Sequence, residues 1–258
     1  MKRQLFIHMG FPKCGSTYVQ EVFFPHHPDI WYLGKRNPVD REPPSIIEKL
    51  KRALMPEPCW RRLRLLRETI KNRKSAKYFL NQIHEEGTPV LTPMDEQILS
   101  ELRDREFKSV LEVGTGGGRL TYSFAYHGYQ VVGIEPDKWY RNLVNQFVEK
   151  RGLSNCEIID GDIHDIPYPD RTFDIVVCRA VIEHVQNPDI AVSELVRCAR
   201  ILCIVSTPFG FESDSPGHIH HFFDDDIDRI FKPYNYSKQK LYDRPGGNKV
   251  FLITVQKS

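Results

Sequence analysis

The sequence contains no apolar run approaching the roughly 18–20 residues that a membrane-spanning helix needs. It also lacks a Cys-x-x-Cys pair, an internal repeat and any low-complexity tract. Net charge is scarce too, because 36 Lys and Arg against 34 Asp and Glu leave +2. These absences remove whole classes of function. There is no helical membrane span to place, no closely spaced thiol pair for a metal or redox site, and no overall charge that would name a partner. Nucleic acid is therefore not an expected partner, and the oligomeric state is left open. The six cysteines, at positions 14, 59, 156, 178, 198 and 203, are scattered. Cys178 and Cys203 sit inside apolar, strand-like runs, so the thiols are expected to be reduced and the protein cytoplasmic. The opening Met1–His8 starts with basic residues as a signal peptide does. Its apolar stretch is only a few residues long, however, and it runs at once into Gly10-Phe-Pro-Lys13, which suits a strand and loop.

What is present fits a soluble α/β protein. The chain has 258 residues, 40% apolar and 27% charged, enough for one large domain or a domain with an appendage. Prolines and glycines divide it in three. Residues 1–34 carry a strand-loop-helix-strand pattern: Leu5–Met9, a Gly/Pro loop, a helix from Ser16 to Phe24, and Ile30–Leu33. Residues 35–90 begin as a proline-bearing linker and continue as helices, a short one over 45–55 and a basic one over 59–80. In the basic helix Trp60, Leu63, Leu66 and Ile70 recur at three- to four-residue spacing. That stripe is expected to pack on the next domain; the competing expectation is a basic face for an anionic ligand.

Residues 91–258 alternate regularly. A helix through Ile98, Leu99 and Leu102 precedes strand Ser109–Val113. Strands then follow at Gln130–Glu135, Cys156–Asp160, Phe173–Cys178 and Ile201–Ser206, with helices at Leu120–Tyr126, Trp139–Lys150 and Ile190–Arg197 between them. A helix over Phe222–Phe231 and two strands, Ser237–Tyr242 and Lys249–Gln256, close the chain. Alternation predicts a Rossmann-like, doubly wound, mainly parallel sheet. The closing pair, with no helix between, predicts an antiparallel addition at its edge.

The strongest local feature is Val110-Leu-Glu-Val-Gly-Thr-Gly-Gly-Gly118, a buried strand running into a glycine turn. Glycines there allow positive φ and let a ligand approach the main chain. Arg119 occupies the third glycine position of a G-x-G-x-x-G count from Gly114, where helix and strand must pack closely, which argues against a dinucleotide. The next strand ends in Glu135, 21 residues beyond Gly114, where a carboxylate can accept from a ribose diol.

These residues, with Val132–Glu135, Asp160–Asp170, Thr172–His184, Ser206–Phe209 and Gly217–Phe222, resemble in order the motifs of class I S-adenosylmethionine (SAM)-dependent methyltransferases. The small-molecule branch, which includes quinone O-methyltransferases, is the nearest. The resemblance spans about residues 90–258. It implies SAM as cofactor, with Gly114, Thr115, Gly116 and Gly118 around its methionine part and Glu112 supporting the loop or binding the amino group. It implies Glu135 on the ribose, Pro136 and Asp137 at the adenine edge, and Asp162 and the Ile163 amide on the adenine. The main chain at Arg179 and Ala180 would face the methionine portion. Methyl transfer needs alignment and exclusion of water, and a hydroxyl or amine acceptor also needs a base of near-neutral pKa. The candidates are His184 and, in a later loop, His218, His220 and His221. Some quinone methyltransferases carry Glu-x-x-Glu-His after the fourth strand and bind a divalent metal there. Here the run is Ala180-Val-Ile-Glu-His184, the first carboxylate is missing, and no metal is expected.

A second loop, Gly10-Phe-Pro-Lys-Cys-Gly-Ser-Thr17, has the geometry of a phosphate cradle at a helix start. It resembles the phosphosulfate-binding loop of sulfotransferases, P-K-S-G-T-T, with Cys14 and Ser16 as departures, over about residues 3–34 only. By that resemblance Lys13, Gly15, Ser16 and Thr17 would contact the 5′-phosphosulfate of PAPS. Residues 35–90 offer no second phosphate site or base for such a domain. The expected function is thus methyl transfer from SAM to a small-molecule or glycan-type acceptor, with O-methylation favoured. The alternatives are a PAPS-using sulfotransferase-like enzyme and a non-catalytic SAM-fold binding protein.

Overall fold

The computed structural model describes residues 57–210, 215, 217–242 and 249–257. The elements expected over 5–9, 16–24, 30–33 and 45–55, with Lys13, Gly15, Ser16 and Thr17, lie outside the described residues. Arg61–Ser258 form one compact unit.

Its frame is a seven-stranded sheet made of β1 (Ser109–Val113), β2 (Gln130–Ile134), β3 (Cys156–Ile159), β4 (Phe173–Arg179), β5 (Ala199–Pro208), β6 (Tyr236–Tyr242) and β7 (Lys249–Gln256). The order across the sheet is β3-β2-β1-β4-β5-β7-β6. The first five strands pair in parallel; β7 pairs antiparallel with β5, and β6 antiparallel with β7. This is the expected mainly parallel sheet with an antiparallel edge. Strand order reverses at β1, so β1 and β4 open a crevice at their C-terminal ends, the place where doubly wound sheets bind ligands.

The helices are α1 (Glu57–Glu86), α2 (Pro93–Ser100), α3 (Arg119–Tyr126), α4 (Lys138–Lys150), α5 (Pro188–Cys198) and α6 (Asp224–Phe231). Side chains alternate between the two sheet faces. Leu111, Val113, Val176 and Cys178 pack with Val192, Leu195, Ile227 and Phe231 of α5 and α6 on one face. Val110, Ile175 and Val177 pack with Ile98, Leu120 and Phe124 of α2 and α3 on the other. The first turn of α2 is closed by a capping box: the Thr92 hydroxyl accepts from the Asp95 amide and the Asp95 carboxylate accepts from the Thr92 amide.

Helix α1 is longer than the basic segment predicted, and the described residues of the expected stripe are not its buried face; the side chains of Trp60 and Leu63 lie outside the described residues. Leu66 and Ile70 stay 48% and 47% exposed, whereas Ala76, Phe79 and Leu80 are buried. The reason lies in the partners: Tyr122 and Phe147 offer apolar surface to Phe79 and Leu80 in the C-terminal half of the helix. The strand boundaries agree with expectation to within two residues, and α6 starts at Asp224 rather than Phe222, because Phe222 pairs with Phe209 in an isolated bridge. Among the described residues no helix is long and apolar enough to cross a membrane.

Candidate functional site

A cavity of about 660 Å³ opens at the C-terminal ends of β1 and β4. Parallel pairing sets Val113 beside Ile134, so the chain leaves β1 and β2 side by side, and the glycine turn folds back over the end of β2. The Gly114 and Thr115 amides donate to the Ile134 carbonyl at 2.8 and 3.3 Å, and the Thr115 hydroxyl points to the same oxygen. The Gly116 amide donates to Glu135 Oε2 at 2.7 Å, while Glu135 Oε1 accepts from the Asp137 amide at 2.9 Å.

The glycines are required by different constraints. Gly114 has φ +79°, and a Cβ there would stand 2.2 Å from Val181 Cγ2. Gly118 has φ +75° and would meet Val144 at 2.6 Å. Gly116, at φ +52°, has open space around its missing Cβ, as a main chain approached by a ligand should. In the same cavity lining, Ala180 holds φ +53° although it is not glycine. Such a residue costs about 1–2 kcal/mol, and strain of this kind gathers at functional turns. Its amide donates to the Ser206 carbonyl at 2.8 Å.

Three carboxyl groups shape the electrostatics. Glu112 is buried with the Thr121 hydroxyl bonded to it, and burial pushes its pKa up to about 7. Glu183 is buried below the histidines. Burial raises it also to about 7, the Thr207 hydroxyl donates to its Oε2 at 3.1 Å, and its Oε1 has no hydrogen-bond partner. Asp95 is fully buried and reaches both arginines of the cavity, Arg179 at 2.7 Å and Arg119 at 3.4 Å. The Arg119 guanidinium also lies over the Phe79 ring at 4.8 Å.

The histidines divide. His184 Nδ1 is 2.9 Å from the Gly217 carbonyl. A carbonyl only accepts, so Nδ1 carries the proton and Nε2 keeps its lone pair. His218 packs edge-on against His184, with ring centroids 4.6 Å apart, and burial with the neighbouring His184 and His221 lowers its pKa to about 4. Both rings line the cavity. His220 does not: its Nε2 meets the Val185 carbonyl at 2.9 Å and its ring stacks on Phe222. The backbone carbonyl of Glu183 accepts from the Ile219 and His220 amides, which stitches the histidine loop to the end of β4. Glu183, His184 and His218 bring one donor atom each within 4.8 Å of one another, so donors sit together after β4 even though the Glu-x-x-Glu-His run is incomplete.

Of the residues singled out from the sequence, the cavity gathers Glu112, Gly114, Thr115, Gly116, Arg179, Ala180, His184 and His218. Glu135 stands behind Gly116. Asp137 caps α4 through the Trp139 amide and pairs with Arg73 at 2.9 Å. Burial works against ionisation of Asp137, but the Arg73 contact and the Trp139 amide outweigh it and hold its pKa down. The Pro136 carbonyl accepts from Arg141 at 2.7 Å. Asp162 is exposed and accepts from the amide and the ring of His164, and Ile163 is buried. Neither Asp162 nor Ile163 lines the cavity. Sequence reasoning missed Asp95 and the polar face of α1, namely Glu68, Thr69, Asn72 and Ser75, and noted Glu183 only as part of an incomplete metal run; all of these except Asp95 line the cavity.

Comparison with known proteins agrees with this geometry. The family model described as "Methyltransferase domain" matches residues 111–202. The "Uncharacterized methyltransferase YcgJ" of Bacillus subtilis is 26% identical over 113 residues, covering 40% of this chain and 45% of its own. A "Ubiquinone biosynthesis O-methyltransferase" of Proteus mirabilis is 33% identical over 115 residues, 43% of this chain and 45% of its own. The chain thus spans less than half the length of these curated relatives. The crystal structure of the Bacillus protein superposes with a TM-score of 0.55 at 17% identity, covering 64% of this chain and 98% of that one. The "magnesium protoporphyrin IX methyltransferase (ChlM)" of Synechocystis, "with bound SAH", superposes at 0.53 and 17% identity, covering 64% and 82%. The fold is the one that these methyltransferases share, and the segment 111–202 is similar to the methyltransferase domain family.

Proposed function

We propose that the chain is a SAM-dependent methyltransferase acting on a small molecule, with an oxygen as the favoured methyl acceptor. The carrying observation is the glycine turn, where an open main chain at Gly116 is backed by Glu135 and lines a 660 Å³ cavity together with Ala180. The "O-methyltransferase" in the name of the Proteus relative is in line with this choice.

The residues fit the cofactor. Two of the four acceptor positions of the Glu135 carboxylate are taken by amides, which leaves capacity for ribose hydroxyls. Tyr140 lines the cavity close to Glu135 and Asp137, at what would be the nucleoside end. Arg179 and Glu112 stand at the other side of the turn and suit an amino-acid carboxylate and ammonium. SAM, when bound, supplies a methyl group already activated on a sulfonium. The protein's task is then to align, exclude water and move one proton. Nε2 of His184 is the acceptor for that proton, because the Gly217 carbonyl holds the opposite nitrogen protonated and the ring in place. His218, neutral above about pH 4, keeps an uncharged neighbour beside it.

A reducing cytoplasmic location suits the unpaired thiols of Cys156, Cys178, Cys198 and Cys203. The catalytic domain is taken to run from residue 91 to the C-terminus, with α1 contributing a wall.

Calorimetric titration with SAM, S-adenosylhomocysteine and PAPS tests the proposal. Micromolar binding of the first two, lost in Glu135→Ala, is expected. PAPS binding without SAM binding would sink it, and SAM binding with no turnover across a broad acceptor panel would reduce the protein to a binder.

A further inference from the structure

Helix α1 runs along the cavity from the histidine loop to the glycine turn, and contacts at two of its interior residues fix that direction. Glu68 Oε1 accepts from the Ser215 hydroxyl at 2.9 Å. Eight residues later, Ala76 faces Gly117 so closely that a Cβ on Gly117 would stand 3.0 Å from its own. At a rise of 1.5 Å per residue these anchors lie about 12 Å apart. Thr69 and Asn72 line the cavity between them.

The two halves of the cavity therefore differ in character. The aromatic lining belongs to the glycine half, where Phe79 lies under Arg119 and Tyr140 stands by Glu135 and Asp137. The histidine half is polar. Glu68, Thr69, Asn72 and Ser215 line the same cavity as Glu183 and the histidine pair, and Ser215, bonded to Glu68, lies beside Gly217, whose carbonyl holds His184. A flat apolar ring seated in this half would strip water from the Asn72 amide, from the Glu68 carboxylate beyond its Ser215 bond, and from the oxygen of the Thr69 hydroxyl, whose hydrogen is donated to the Leu65 carbonyl at 2.9 Å. Sites built from such groups discriminate steeply in favour of ligands that hydrogen-bond to them. The Glu68 carboxylate and the Thr69 oxygen accept, while the Asn72 amide both donates and accepts, which together match a row of adjacent hydroxyls.

We propose that Glu68, Thr69 and Asn72 of α1 form the acceptor-recognition wall, and that the acceptor is a compact polyhydroxylated molecule of the sugar class rather than a flat apolar ring. The proposal rests on the methyltransferase reading of the same cavity. Its prediction for the acceptor differs from what the name of the Proteus relative would suggest for that protein.

The test is ligand-observed NMR on full-length protein saturated with S-adenosylhomocysteine. The probes are methyl α-glucoside, methyl α-mannoside, methyl α-galactoside and glucuronic acid on one side, and catechol and hydroquinone on the other. At least one of the sugar probes is expected to bind and neither phenol. Asn72→Ala and Thr69→Val should each weaken sugar binding about tenfold, leaving the S-adenosylhomocysteine Kd and the Tm unchanged. Binding of the phenols alone, of no sugar probe, or equal loss of cofactor and sugar affinity in Asn72→Ala overturns the proposal. If S-adenosylhomocysteine itself fails to bind, the methyltransferase reading fails first and the acceptor proposal falls with it. If it binds and the sugars do not, only the acceptor proposal fails.

Discussion

Glu135 Oε2 accepts the Gly116 amide at 2.7 Å, so the carboxylate at the end of β2 holds the turn that leaves β1. A residue expected only to bind ribose is thus also a strut of the ligand loop. Glu135→Ala should lower affinity for S-adenosylhomocysteine by about 10–100-fold, the range for losing hydrogen bonds to a charged group. Glu135→Gln, which keeps an acceptor oxygen, should lose less. Equal affinity in wild type and Glu135→Ala, by calorimetry, would show that the carboxylate serves neither purpose.

Gly114 and Gly116 should respond differently to the same substitution. Gly114→Ala drives a methyl into Val181 and should destabilise the fold by about 2–4 kcal/mol as well as weakening cofactor binding. Gly116→Ala meets nothing and should cost about 1–2 kcal/mol of backbone strain. Denaturant midpoints separate the two; a Gly116→Ala loss as large as that of Gly114→Ala would contradict the placement of the turn.

Asp95 supports three groups at once: the first turn of α2, Arg119 and Arg179. Removing it leaves two half-buried guanidinium groups without their counter-charge. Asp95→Ala should cost about 2–4 kcal/mol, with a weakened cofactor site because Arg179 loses its tether. An unchanged urea midpoint would mean that the arginines find other partners.

The buried carboxyls make stability depend on pH in a defined direction. Glu183 and Glu112 are raised by burial from an ordinary 4.5 to about 7. Between those values the folded state binds more protons than the unfolded one, so stability falls as pH rises. The contribution is full below pH 4.5 and gone above 7. For each group it is on the order of 3 kcal/mol. Glu183→Gln keeps an acceptor for Thr207 and should flatten the slope of Tm against pH across that window. A slope identical to wild type would mean that Glu183 is ionised throughout.

The legible part of the molecule was the part written in local pattern. The strands β1 to β5, the glycine turn and the antiparallel closing pair follow from apolar runs, alternation and turn residues. The spacing of Glu135 from Gly114 already placed it at the end of the adjacent strand. At Leu66 and Ile70 the face of α1 differs from the spacing, because periodicity reports which residues share a side, not which neighbour offers apolar surface. These two stay exposed, whereas Phe79 meets Tyr122 and Phe147. His218 and His220 could not be told apart in Gly217–Phe222, since one loop residue faces the cavity and the other bonds the Val185 carbonyl.

By itself, then, the sequence determined the order of elements, the parallel sheet and the glycine turn, because backbone conformation and burial pattern are local properties of the chain. Tertiary structure alone decided that Glu135 holds Gly116, that Asp95 joins an arginine of α3 to one of β4, and that Glu68, Thr69 and Asn72 line the same cavity as His184. Those pairings depend on side-chain direction and on contacts between segments distant in sequence, which no local spacing encodes.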